Sequence, residues 1–233
     1  MNKFLVIILI YVVASQFVEA KTIKVAVIDT GYNFAFKDFK HFKLSKPKLC
    51  KTGHKDFTDT TLNDVIGHGS NIASIIAQGN EAQDYCILVL KFYSKETQLI
   101  SLETELEAIR YAIKQKVNII NMSLSGYAYS KEECDLVKVA LDRGITIVAA
   151  AGNDGFDLSV TKVYPAMCDK RVKVVMNYTK GERASSSNYD DSYIKENGTN
   201  IYGLSKGNLP EFMSGTSQAA ANHTNRLVRK LGK

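Results

Sequence analysis

Lys24-Val-Ala-Val-Ile-Asp-Thr-Gly31 is an almost unbroken apolar segment that stops at a carboxylate and a glycine. Side chains alternate between the two faces of a strand, so a strand apolar at successive positions must be covered on both. Similar segments follow at Cys86-Ile-Leu-Val-Leu-Lys-Phe92, Val117-Asn-Ile-Ile-Asn-Met-Ser123, Ile145-Thr-Ile-Val-Ala-Ala-Ala151 and Val172–Met176, with a shorter strand expected around His54–Thr58. Helical patterns lie between them. Gly67-His-Gly69 opens a helix carrying Ile72, Ala73, Ile75, Ile76 and Ala77 and ended by Gly79. Leu102, Leu106, Ile109 and Ile113 recur at helical spacing, with acids early and Arg110, Lys114 and Lys116 late, as the helix dipole favours. A third helix is read at Glu132–Arg143, stopped by Gly144, and an alanine-rich one begins after Gly215. Residues 33–63 are mixed and loop-like, and 178–210 read as long loops with short strands. This alternation predicts an α/β fold, three-layered, with a mostly parallel central sheet and helices on both faces. In such sheets sites form at the carboxyl ends of the strands, so the residues just after each strand matter most.

With 233 residues, 45% of them hydrophobic, the chain fits one domain with a substantial core. The net charge is +6, but Lys and Arg are scattered among acids without a basic and aromatic stripe, which argues against nucleic-acid binding. Lys3 precedes the apolar run Phe4–Ala14, and Val18-Glu-Ala20 closes the segment with small residues. Residues 1–20 therefore read as a secretory signal peptide. The run is shorter than the roughly 20 residues of a membrane-spanning helix, and no later run is long enough. The mature domain is expected at 21–233, secreted or periplasmic, with no membrane association after signal removal. Cys50, Cys86, Cys134 and Cys168 match no zinc pattern, which needs close pairs. Two disulfides, in any of three connectivities, fit an exported protein, and free buried thiols are the alternative.

Four polar residues occupy positions where chemistry gathers. Asp29 follows the first strand, and Asn153, in Ala149-Ala-Ala-Gly-Asn-Asp-Gly155, follows another through a glycine turn. His68 starts a helix between two glycines, and Ser217, in Met213-Ser-Gly-Thr-Ser-Gln-Ala-Ala-Ala-Asn-His223, starts another. Each alone has an ordinary explanation, as a turn residue or a helix cap. Together they make up a reaction. A serine nucleophile needs a base within reach, the base needs a carboxylate to orient it, and the tetrahedral intermediate needs hydrogen-bond donors. The Asn153 amide and the backbone N–H of Ser217 are candidate donors.

The motifs Val27-Ile-Asp-Thr-Gly31, Gly67-His-Gly-Ser70, Asn121-Met-Ser-Leu-Ser-Gly126, Ala150-Ala-Gly-Asn153 and Ser214-Gly-Thr-Ser217 resemble, in this order, those of the subtilisin-like serine proteases. The resemblance runs from about residue 23 to 222. It implies a subtilisin-like catalytic domain and a secreted endopeptidase acting on peptide or protein substrates through an acyl-enzyme; that mechanism is subtilisin's own, carried over. Ser217 would be the nucleophile, His68 the general base and acid, Asp29 its orienting partner and Asn153 an oxyanion donor. Ser123, Leu124, Ser125 and Gly126, with Ala150, Ala151 and Gly152, would wall the substrate site. No cofactor is implied. The segment Gln78–Tyr85 is too short for the family's calcium loop and carboxylates do not cluster, so no metal is expected. Family topology implies the pairs Cys50–Cys86 and Cys134–Cys168. Val163 before Tyr164-Pro165 narrows the floor of the side-chain pocket. No acidic residue is evident to meet Lys or Arg, so modest apolar side chains are expected.

The chain also departs from the family. Ser70-Asn71 stands where Thr-His is usual, Ala221-Asn222 where Pro and then His are common, no propeptide fits between Ala20 and Ile23, and 16 residues follow Ser217. These departures motivate an alternative, a catalytically silent subtilisin-fold protein that binds peptides in the same groove. An esterase of unrelated fold would need Gly-x-Ser-x-Gly after a strand, which Ser123-Leu-Ser-Gly126 does not supply. The oligomeric state is not encoded in any of these motifs.

Overall fold

The computed structural model describes residues 22–95 and 102–232, so the segment read as a signal at 1–20 lies outside the described residues. In chain order the elements are β1 (Ile23–Asp29), β2 (Lys55–Asp56), α1 (His68–Ala77), β3 (Tyr85–Lys91), α2 (Leu102–Lys114), β4 (Ile119–Met122) and α3 (Lys131–Asp142). There follow β5 (Thr146–Ala150), β6 (Lys173–Thr179), β7 (Glu182–Arg183), β8 (Ile194–Glu196), β9 (Ile201–Leu204), β10 (Pro210–Met213) and α4 (Thr216–Leu231). The main sheet has the order β2-β3-β1-β4-β5-β6-β7, with β8 also on β6. Its pairs are parallel except β6 with β7. β9 and β10 form a separate antiparallel ribbon.

The alternation within β1 explains the layers. Val25 and Val27 pack with Ile72, Ile75, Ile76, Ala219, Ala220 and Val228, so α1 and α4 cover one face. Ala26 and Ile28 pack with Ala108, Ile109, Ala112, Val137 and Ala140, so α2 and α3 cover the other. Burying each large aliphatic side chain contributes about 1.5–3 kcal/mol. The three-layer α/β arrangement expected from the strand pattern is the one observed. Some boundaries moved for physical reasons. The strand read at Val117–Ser123 shrinks to Ile119–Met122, because the Val117 N–H returns to the Ala112 carbonyl at the end of α2 and Ser123 turns toward α4. The strand read at Val172–Met176 runs on through Thr179, because Asn177 pairs with Glu196 on β8 and Tyr178 with Arg183 on β7. Those partners are polar, so apolar patterning could not show them.

The structure joins Cys50 to Cys86 and Cys134 to Cys168. The first bond ties the loop ahead of β2 to β3, beside the Leu49–Ile87 bridge. The second ties α3 to the loop ahead of β6. With sequence separations of 36 and 34, chain-entropy reasoning gives each bond about 3–4 kcal/mol of stability. Adding reductant during guanidinium unfolding should therefore lower the midpoint sharply. The double variant Cys134→Ala/Cys168→Ala should reproduce about half of that loss. An unmoved midpoint would mean the bonds do not stabilise the fold. Among the described residues, no helix is long and apolar enough to cross a membrane.

Candidate active site

β1 delivers Asp29 to the carboxyl edge of the sheet. Its Oδ1 accepts the Thr30 N–H at 2.8 Å and His68 Nδ1 at 2.7 Å. The Asp29 side chain is 4% exposed against 26% for His68, so the carboxylate lies inside and the ring faces outward. With Nδ1 donating to the carboxylate, the neutral ring keeps Nε2 as its acceptor. Glycine allows this approach, because a Cβ on Gly69 would stand 2.4 Å from the Gly31 carbonyl oxygen. The Thr30 hydroxyl links the two elements, accepting the Gly69 N–H at 2.9 Å and donating to Asp64 Oδ1 at 2.9 Å.

Asp64 is a residue the sequence reading missed. It is buried, and it accepts the N–H groups of Ile66 and Gly67 on Oδ1 and of Ser70 on Oδ2. One carboxylate thus gathers donors around the start of α1, where they lack partners within the helix. Its only sequence signal is an Asp three residues ahead of Gly67, in a stretch that reads as loop. Burial pushes the His68 pKa down, but the Asp29 charge and hydrogen bond, with the Asp64 charge behind them, outweigh it. The imidazole titrates above its ordinary 6.5.

α4 carries Ser217 in its first turn. Thr216 donates its N–H at 2.9 Å and its hydroxyl at 3.1 Å to Asn153 Oδ1, and that hydroxyl accepts the Gly152 N–H at 3.1 Å. Both donors use Oδ1, which leaves Asn153 Nδ2 as a donor without a partner among the described residues. Ser123 holds Ser217 twice: its Oγ donates to the Ser217 carbonyl at 3.0 Å, and its carbonyl accepts the Ser217 hydroxyl at 3.2 Å. Asn121 Nδ2 donates to Ser123 Oγ, and Asn121 Oδ1 accepts the Thr224 hydroxyl. Asn71, one of the departures from the family pattern, is a buried bridge. Its Oδ1 accepts Gln218 Nε2 at 3.0 Å, tying α1 to α4 just beyond His68 and Ser217. The Ser217 hydroxyl rests on the Ser123 carbonyl, and no hydrogen bond joins it to His68 among the described residues. Asp29 and His68 are thus in direct contact, Ser217 is held on the neighbouring helix start, and Asn153 stands beside it.

Residues 20–228 match the model of the Subtilase family. This chain belongs to the subtilase family. The major intracellular serine protease of Bacillus subtilis (strain 168) is 30% identical over 227 residues, covering 91% of this chain and 69% of that protein. Subtilisin E of the same organism is 30% identical over 220 residues, covering 88% and 54%. Its minor extracellular protease Epr is 33% identical over 211 residues, covering 85% and 30%. The subtilase chain thus spans less than two thirds of the lengths of subtilisin E and Epr. The crystal structure of a cold adapted subtilisin-like serine proteinase shares the fold with a TM-score of 0.73 at 22% identity, over 90% of this chain and 75% of that one. The chain is a subtilisin-like serine protease domain, in a family with both intracellular and extracellular members.

In this subtilase the two segments expected from the sequence to wall the substrate site leave neighbouring strands. Ser123–Gly126 leaves β4, and Gly126 exchanges backbone hydrogen bonds with Tyr164 at 2.9 and 2.8 Å. Ala151–Asn153 leaves β5. Ala150 and Ala151 are buried in the two cores, so their methyl groups line no pocket and their backbone is what they can offer a substrate. Asn188 clamps this loop. Its Nδ2 donates to the Ala151 carbonyl at 2.9 Å, and its Oδ1 accepts the N–H groups of Asp154 and Phe156 at 3.1 and 2.8 Å. Gly152, at φ 96°, is needed there, since a Cβ would stand 2.4 Å from Asn188 Nδ2. Asn188 is the second residue missed: within Ser185-Ser-Ser-Asn-Tyr189 nothing distinguishes it from an ordinary loop asparagine.

Proposed function

We infer that this subtilase domain is an endopeptidase in which Ser217 is acylated by the substrate. The observation that carries this reading is the 2.7 Å bond between Asp29 and His68, on an element tied to the start of the Ser217 helix. To react, the Ser217 hydroxyl leaves the Ser123 carbonyl and gives its proton to His68 Nε2 as Oγ bonds to the scissile carbonyl carbon. The carbonyl oxygen becomes an oxyanion held by Asn153 Nδ2 and the Ser217 N–H. The intermediate collapses as the C–N bond breaks and His68 returns the proton to the leaving amine. Water then repeats the sequence on the acyl carbon, and Ser217 leaves with its proton. Asp29 keeps the ring in the reactive tautomer and stabilises its cation.

The charged start and apolar run at Lys3–Ala14 support export, and an oxidising compartment suits both disulfides. Peptides and proteins are the substrates.

The electrostatics give a pH test. Turnover needs neutral His68, so kcat/KM should rise with pH through a value above 6.5. Asp64→Asn removes one of the charges that raise it and should move that limb toward lower pH. The linkage runs the other way for stability. The His68 cation stabilises the fold fully below its unfolded value, and this contribution fades as pH rises through the raised folded value. A rate flat down to pH 5 would exclude His68 as the base.

A further inference from the structure

We propose that Ser125 and a crossbar between Tyr127 and Asp154 determine specificity, restricting the residue on the acyl side of the cut to side chains the size of alanine or serine. The inference rests on the peptidase reading above and narrows its substrate class.

β4 and β5 are paired up to Met122 and Ala149. Beyond them both segments leave the sheet and reach the start of α4, Ser123 gripping Ser217 and Asn153 contacting Thr216, and the space between the two segments is the slot we assign to the substrate. A substrate whose carbonyl is attacked by Ser217 must place its acyl-side side chain in that slot. Two features shorten it. Ser125 Oγ lies 3.2 Å from where a Cβ on Gly152 would stand, beside Asn188 Nδ2 at 2.4 Å, so this hydroxyl reaches across from one segment to the bare glycine backbone of the other. At the outer end the Tyr127 hydroxyl donates to Asp154 Oδ2, and the Tyr127 ring lies 5.9 Å from that of Phe156. Tyr127 directly follows Gly126 and Asp154 directly follows Asn153, so this bond runs from one wall to the other. The Asp154 end is anchored, because its N–H is held by Asn188.

No acidic group for this pocket is evident in the sequence. Asp154 is one, and the Tyr127 hydroxyl already engages it. A long basic side chain would have to pass Ser125 and displace Tyr127 to reach it.

The test is a set of fluorogenic peptides differing only at the residue before the cleaved amide, with Ala, Leu, Phe or Lys there. Active sites are counted by fluorophosphonate titration, and each variant's melting temperature is compared with the parent's. The parent is expected to favour Ala over Phe and Lys by at least about tenfold in kcat/KM. Ser125→Gly should raise the Phe-to-Ala ratio by about 10–100-fold, the scale set by a few methylene groups in a pocket. Tyr127→Ala should raise both the Phe and the Lys ratios. A parent that favours Phe or Leu, or ratios that neither variant shifts, overturns the proposal. So does a preference for Lys that Asp154→Asn removes, which would make Asp154 the recognition group. If no site titrates, the peptidase reading itself has failed, and this inference with it.

Discussion

Ser217→Ala is expected to lower kcat on peptide substrates by about 10⁶-fold, a magnitude carried over from subtilisin and not from this chain's geometry. Thermal stability should change little. The hydroxyl's described hydrogen bond is the one to the Ser123 carbonyl at 3.2 Å, and a neutral bond of that kind contributes about 0.5–1.5 kcal/mol net. The backbone grip on residue 217 survives the change, because Ser123 Oγ binds its carbonyl and not its side chain. His68→Ala should cost a similar factor, and combining it with Ser217→Ala should cost little more, since the two act on the same proton. Single-turnover kinetics on the three variants would show this. Losses that simply multiplied would mean the imidazole and the hydroxyl act independently.

The second large effect concerns Asn153. Asn153→Ala should lower kcat by about 10²–10³-fold with little change in KM, again the scale known from subtilisin. That result alone leaves a structural explanation open, because Asn153 Oδ1 also holds the N–H and hydroxyl of Thr216. Asn153→Asp separates the two roles. An aspartate keeps an acceptor for Thr216 but replaces the Nδ2 donor with a charged oxygen facing the developing oxyanion. It should therefore be at least as slow as the alanine variant while melting closer to the parent. Recovery of kcat in Asn153→Asp would show that Asn153 serves only to hold Thr216.

What was legible in the sequence follows from what each residue does. Val25, Ala26, Val27 and Ile28 could be read because burial on both faces leaves an apolar trace that needs no partner to recognise. Asp29, His68, Asn153 and Ser217 were legible as candidates only as a set: each alone reads as a turn or cap residue, and it is their order and the motifs around them that resemble the subtilisin-like serine proteases. Asp64 and Asn188 were not legible, although they hold the loops around His68 and Asn153. Their work is to satisfy backbone N–H and C=O groups, and any Asp or Asn in a loop looks suited to that. Asn71 and Ala221 read as departures from a family pattern. In the structure the first is a hydrogen-bonded bridge between helices and the second is fully buried in α4. Polar strand pairing also left no trace, so β7 and β8 could not be placed from sequence. The hydrogen bond of the Ser217 hydroxyl to Ser123 is a rotamer choice, set by a carbonyl 94 residues away.

The most direct measurement is the mass of the folded, oxidised protein after treatment with a fluorophosphonate, at a pH above the raised His68 value, followed by peptide mapping of the adduct. The expected result is a single adduct on Ser217 whose formation is lost in His68→Ala. An absence of adduct on properly folded protein, or labelling of Ser217 at an unchanged rate without His68, would contradict a nucleophile activated by Asp29 and His68. The first of those outcomes would favour a groove that only binds peptides.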